Sequence, residues 1–201
     1  MTTRAAYILL LLFVAQFALA SSIIEADRAY LEGNYELAVR RYTPLAEDGN
    51  VTAQYNLGVI YEDHLIDHGN AFYWMQKAAR QGDADAQIRL GSMYKTGTGT
   101  LVNLEKAVSF YRLSAEQGNV HAQSNLADIY LNGRGVEQNF ARGVFWLMKA
   151  ADNGHAHAQY ILGVMFLQGD RVARDMTRAD HYLRGAAVQG HEDALKFFET
   201  D

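Results

Sequence analysis

Apolar and small residues recur along this chain with a helical period inside blocks and a longer period between them. The segments AQYNLGVIY (Ala53 to Tyr61), AQIRLGSMY (Ala86 to Tyr94), AQSNLADIY (Ala122 to Tyr130) and AQYILGVMF (Ala158 to Phe166) align without gaps. Their first alanines stand 33, 36 and 36 residues apart. In each, the alanine, the leucine and the aromatic fall at i, i+4 and i+8, which is one face of a helix. Between these blocks runs a second pattern, as in Ala71, Trp74, Ala78 and Ala79, again a single stripe. It closes on Gly82, Gly118, Gly154 and Gly190, each 36 residues from the last. The pattern predicts an all-α protein of stacked helical hairpins, one pair per unit.

The punctuation agrees with the periodicity. The repeated glycines fall where a left-handed residue ends a helix, and Asp83 and Asn119 after them are suited to cap the next first helix. Gly58, Gly91, Ala127 and Gly163 follow the first-helix leucine, where lack of bulk lets the two helices of a hairpin approach. Trp74, Phe110, Trp146 and Tyr182 share one repeat position and are expected to face the hairpin core. Upstream, Tyr30, Ala38, Tyr42, Ala46 and Gly49 form a tighter copy of the same unit. The units are read at about residues 22–52, 53–85, 86–121, 122–157 and 158–193, with a short cap over about 194–201.

The first twenty residues read differently. Arg4 precedes an apolar run from Ala5 to Ala20 that ends in Ala18-Leu19-Ala20 and is followed by Ser21-Ser22, the three parts of a secretory signal. A helix of that run reaches about 24 Å, short of the roughly 30 Å of a hydrocarbon core. Cleavage after Ala20, a mature chain with no membrane span, and export to the periplasm are the expectations.

Composition removes several chemistries. The 201 residues include no cysteine, so thiol nucleophiles, disulfides and thiolate zinc sites are excluded. A net charge of −5 with no basic block argues against nucleic acid as a partner. The glycine pairs Gly97/Gly99 and Gly133/Gly135 lack the following Lys-Ser/Thr of a phosphate loop, and no serine sits in a G-x-S-x-G elbow. No residue set points to a cofactor or to catalysis. His64 and His68, beside Asp63 and Asp67, have the i, i+4 spacing of a metal face but fall in a shortened turn without a third ligand. Asp83, Asn119, His155 and His191 are equivalent by repeat, as are Asp85, His121, His157 and Asp193. Stacked units are therefore expected to line them up in two rows, whose histidines could sense pH.

The run A-x-x-x-L-G-x-x-Y, then G-x-G, then A-x-x-W/F/Y and A-A-x-x-G, resembles the Sel-one-like repeat family, strongly over about residues 53–193 and weakly over 22–49. Ala127 for the first-helix glycine and Gly143 for the second-helix alanine depart from that pattern. The resemblance implies a right-handed α-α superhelix (a solenoid of helical hairpins) and a non-enzymatic adaptor role toward a protein or peptide partner. Some cysteine-rich relatives suggest an envelope hydrolase or β-lactam-binding protein instead, but their cysteines and an S-x-x-K motif are missing here.

In related hairpin solenoids the first helices line the concave surface. Positions beside the leucine–glycine pair are spare there, and they define the candidate partner face. In order these are Tyr55, Val59 and Glu62; Ile88, Ser92 and Lys95; Ser124, Asp128 and Leu131; and Tyr160, Val164 and Leu167. The set mixes aromatic and aliphatic groups with few charges, a surface for a peptide or helix rather than a phosphate backbone. Tyr55 and Tyr160 are its expected aromatic anchors.

Overall fold

A computed structural model describes residues 22–198, so the expected signal segment lies outside the described residues. Among those residues every regular element is helical. A helix over 22–31 (α1) pairs with α2 (Tyr35–Glu47). α3 (Val51–Val59) runs into a π-helical turn (Ile60–His64) and is followed by α4 (His68–Arg80). Next come α5 (Ala84–Thr96) with α6 (Leu104–Glu116), α7 (Val120–Asn132) with α8 (Phe140–Asp152), and α9 (Ala156–Gln168) with α10 (Met176–Val188). α11 (Glu192–Leu195) is the short terminal helix expected beyond Gly190.

The chain forms two compact units. One comprises residues up to Ala86 together with Thr98–Thr100; the other comprises Gln87–Gly97 and the chain from Leu101 onward. The first has a core of Ala38, Tyr42, Leu45, Leu57, Ile60 and Trp74. The second includes a cluster built on Ala127, Leu147, Leu162, Phe166, Ala179 and Tyr182.

Helix ends follow the repeat. Asp83 Oδ1 accepts from the Ala86 N–H at 2.7 Å, and Asn119 Oδ1 accepts from His121 and Ala122. The second helices are capped just as regularly by Asp67, Asn103, Asn139 and Asp175, each accepting from the N–H three residues on. Gly118 ends α6 with φ +95°, and its three equivalents are also positive, a conformation in which any other residue is strained. The shortened turn of the first unit is not a simple loop. The Leu65 N–H reaches back to Ile60 O at 3.0 Å, and Ile66 takes φ +53° before Asp67 starts α4.

The intimate face of the second helix is one residue further along than the aromatic pattern suggests. Trp74 and Tyr182 are buried, but Phe110 and Trp146 are only half-buried. The residues that close the hairpins are Met75, Tyr111, Leu147 and Leu183, all within 4% of complete burial. Their partners are the small residues of the first helix. A Cβ on Gly91 would lie 2.9 Å from the Tyr111 ring, and one on Gly163 would lie 2.8 Å from Leu183 Cγ. The second helix thus leans its bulkiest side chain into the notch left by glycine, while the preceding aromatic covers the hairpin edge, as where Phe110 stacks on Tyr94 at 5.9 Å.

A glutamine ties successive hairpins together, buried at Gln54, Gln87 and Gln123 and half-buried at Gln159. Gln54 Nε2 donates to Ala46 O at the end of α2, and its Oε1 accepts from Gln81 at the end of α4. Gln123 does the same between Ala115 O and Asn153, and Gln159 between Ala151 O and Gln189. Gln87 accepts from Gln117 at 2.8 Å. Each amide serves helix-terminal groups that the helices themselves cannot satisfy.

The displacement of the packing face is testable. Tyr111→Ala should cost about 3–5 kcal/mol, and Phe110→Ala distinctly less, by chemical denaturation of the two variants. Equal losses would return the hairpin core to the aromatic stripe.

Candidate functional site

In each first helix the face turned into the hairpin is occupied by alanine, leucine and aromatic, and the amide ladder takes the glutamine. In α7 this commits Ala122, Gln123, Leu126, Ala127 and Tyr130, all buried. What remains outward is what the sequence nominates: none of the twelve candidate residues is buried, and Ser92 and Lys95 are fully in the exposed class.

In the first unit Tyr55 and Val59 lie half-buried on α3, and Glu62 falls within the π-helical turn. That turn also places His64, whose ring stacks on Tyr35 at 3.9 Å between centroids and meets Tyr30 edge-on. His64 therefore acts as an aromatic packing residue there. Among the described residues no group of three or more His, Cys, Asp or Glu is arranged to hold a metal ion.

In the second unit the candidates border three hollows. Lys95 and Asp128 flank one of about 260 Å³ whose walls are Leu104, Ala107, Tyr111 and Ile129. Ser124, Asp128 and Leu131 border a second of about 400 Å³, closed by Ile161, His157 and Arg171. Asp128 stands on the ridge between them, held by Asn132 Nδ2 at 2.7 Å and by Arg134 Nη1 at 3.1 Å. Leu167 lines a third, apolar hollow of about 140 Å³ with Met176, Leu183, Phe197 and Phe198. Ile88 and Val164 are half-buried on α5 and α9.

Leu131 is not a free surface residue. Its side chain fills the space over Gly143, where a Cβ would sit 2.6 Å from Leu131 Cγ. The glycine that departs from the repeat and the leucine beside the candidate face are one packing solution. Tyr160 is also engaged: it stacks on His191 at 4.5 Å and lies 6.4 Å from Phe197.

The histidines meet diagonally rather than in two rows. His121 is edge-on to His155 at 5.2 Å, and His157 stacks on His191 with Nδ1 and Nε2 3.1 Å apart. The residue before one first helix reaches the second residue of the previous one, so the relevant separation is 34 rather than 36. His155 caps α9 through Nδ1, which accepts from the Ala158 N–H at 3.2 Å. Burial, then the neighbouring His121 and His157, hold its pKa below the ordinary histidine value. Tyr182, buried and bonded to Asp152, is pushed up to about 12.

Sequence reasoning passed over the arginines at the hollows, Arg134 and Arg171, which lie in the glycine turns after each first helix. Their signal is the basic residue inserted in Gly133-Arg134-Gly135 and Gly169-Asp170-Arg171.

Helical hairpins that repeat one sequence pattern define an α-solenoid scaffold. The family model of the Sel1 repeat matches residues 51–83, 84–119, 120–155 and 156–191, and the chain belongs to that family. These repeats begin two residues before the boundaries read from the sequence. Sel1 repeats are a protein–protein interaction scaffold. Among solved structures, the chain is similar to c5321, a protective antigen present in uropathogenic Escherichia coli strains that displays an SLR fold. The two share 31% identity with a TM-score of 0.83, over 90% of this chain and 40% of that one. A Sel1 repeat protein from Oxalobacter formigenes also shares 31% identity, with a TM-score of 0.74, over 79% of this chain and 47% of that one. A putative Sel1 repeat protein from Klebsiella pneumoniae shares the fold at 19% identity and a TM-score of 0.54, covering 90% and 91% of the two chains. The chain thus spans less than half the length of the first two. The all-α solenoid expected from the sequence is the fold these structures display. Among the described residues no helix is long and apolar enough to cross a membrane.

The Leu131–Gly143 pairing predicts a coupled pair of substitutions. Gly143→Ala should gain about 1 kcal/mol of helix propensity in a Leu131→Ala background and lose it to the clash in the native background. The double-mutant cycle should show a coupling of about 1 kcal/mol or more, and additivity would separate the two residues.

Proposed function

We propose that this chain is a non-enzymatic, exported adaptor that holds an extended or helical peptide segment of a partner protein against its first helices. The apolar hollow between α5, α6 and α7 carries the reading. It has the size for one aliphatic or aromatic side chain, with Lys95, Asp128 and Arg134 at its mouth to fix polar groups of the same segment. The neighbouring hollow beyond Asp128 supports a second side chain further along. Tyr55 with Val59 and Glu62 is a separate candidate patch on the first unit. Family membership supports an interaction role without naming the partner. The apolar run to Ala20 supports export, with the periplasm as destination.

The test is photo-crosslinking in the native envelope from single positions, with the recovered protein sequenced from its N-terminus. One and the same partner should crosslink from positions 92, 95 and 128 and not from Arg112 or Lys149 on the second helices. The mature chain should begin at Ser21. Tyr55→Ala, and separately Lys95→Glu at the mouth of the hollow, should each weaken that partner's binding by about 1–2 kcal/mol without moving the melting midpoint. Crosslinks only from the second helices would overturn the face, and a recovered chain beginning at Met1 would overturn processing.

A further inference from the structure

Four histidines gather where α9 begins and the C-terminal turn folds back. His157 and His191 face each other through ring nitrogens 3.1 Å apart, a contact that needs one N–H donor and one bare nitrogen. The pair can keep that bond with one extra proton, placed on the outer nitrogen of the exposed His157 ring. With two it cannot, because both facing nitrogens then carry hydrogen. The other nitrogen of His191, Nδ1, is buried and has no hydrogen-bond partner among the described residues. A proton there gains no acceptor. His155 has the same constraint in another form: its Nδ1 accepts from Ala158, and a protonated ring has no acceptor to offer.

We propose that His157 and His191 form an acid-opened latch, which at neutral pH stacks the C-terminal turn over Tyr160 and on protonation releases it, while the same acidification removes the His155 cap two residues upstream. The turn is short: α11 has four residues and His191 makes no side-chain cap to it. Besides the histidine contact it is held by the buried Ala194 and by Phe198 under the Arg184 guanidinium at 4.7 Å, with Phe197 and Phe198 partly exposed. His191 covers one face of Tyr160 at 4.5 Å and Phe197 approaches another side at 6.4 Å. Opening therefore bares the Tyr160 ring on the first-helix face and frees Phe197 from beside it.

The surrounding charges set the order of events. On α11, Asp193 is bonded to Lys196 at 2.7 Å, and this bond, with smaller help from His191 and His157, holds its carboxyl below the usual range. Glu192 lies on the same short helix beside Lys196. From α7, His121 abuts His155, so charging both is opposed. Asp128 and Arg171, each with an opposite charge of its own, share the hollow beside His157. The sign follows from the shared His157–His191 bond, which two added protons break, and His155 adds to it, because its folded pKa lies below its unfolded value near 6.5. Its contribution to stability is complete above about pH 6.5 and is lost as pH falls through the folded value.

The latch rests on the first-helix reading only for the consequence that Tyr160 joins the partner face; opening itself is read on the chain alone. The experiment is hydrogen exchange and ring-labelled tyrosine NMR of the full mature chain between pH 7.5 and 5.0, beside a His155→Asn/His157→Gln variant. Asparagine already caps the equivalent helix at Asn119, and glutamine can accept from protonated His191. In the native chain Tyr160 should lose the ring-current shift of the stacked imidazole below pH 6.5. Protection over residues 192–198 should fall at least about tenfold beyond the intrinsic pH effect on exchange. The variant should keep both at pH 5.0. A Tyr160 signal that does not move in the native chain, or that moves equally in the variant, overturns the latch whether or not a partner is found.

Discussion

The structure depends on one glutamine amide near the start of the first helix in each hairpin from α3 onward, buried in three of them and half-buried at Gln159. Gln54, Gln123 and Gln159 each donate to a carbonyl at the end of the preceding second helix and accept from the side-chain amide at the end of their own hairpin's second helix. Gln54 and Gln123 are 3% exposed. A primary amide fits this place because it offers donor and acceptor at once, and both are used. Leaving either helix-terminal group unpaired in such a site costs about 1–3 kcal/mol. The amides thus fix the register in which one hairpin meets the next, which apolar stripes alone, able to slide by a turn, do not.

Once that register is set, the rest of each unit sorts itself. Alanines at both helix termini and glycine or alanine after the leucine bring the helices together, and one bulky residue of the second helix fills the notch. In the hairpin whose notch holds Ala127, the second helix carries Gly143 and Leu131 of the first helix packs over it. Most outward first-helix positions, Leu131 and Tyr160 excepted, answer to none of these demands, and it is there that hollows with apolar walls and charged rims appear.

Most of the fold was legible in the chain because punctuation and periodicity agreed four times over. Terminal glycines, the caps at Asp83 and Asn119, the notch glycines and the terminal short helix all follow from spacing. The offset of the packing face was not legible: Phe110 and Tyr111 are both aromatic, and helical periodicity does not decide between adjacent residues sharing one broad stripe. Nor was the diagonal meeting of His121 with His155 and His157 with His191. Repeat equivalence places residues along rows but does not fix the tilt between neighbouring helices. The glutamine ladder stood in plain view as the invariant second letter of four blocks, and periodicity assigned it no role because it is polar. A polar residue repeated without variation beside a buried alanine is the signal that could have found it. The candidate face was legible by subtraction, although Leu131 and Tyr160 prove to be partly committed to neighbours.

The central claim is that the glutamine amides hold successive hairpins in register while adjacent first-helix positions such as Ser124 are spare. Gln123 and Ser124 are neighbours in sequence and lie on opposite sides of that division. Urea unfolding of Gln123→Leu and Ser124→Leu tests it most directly. The account predicts a loss of about 2 kcal/mol or more for Gln123→Leu and a change within about 0.5 kcal/mol for Ser124→Leu. A Gln123→Leu protein as stable as the native chain, or a Ser124→Leu protein equally damaged, would contradict it.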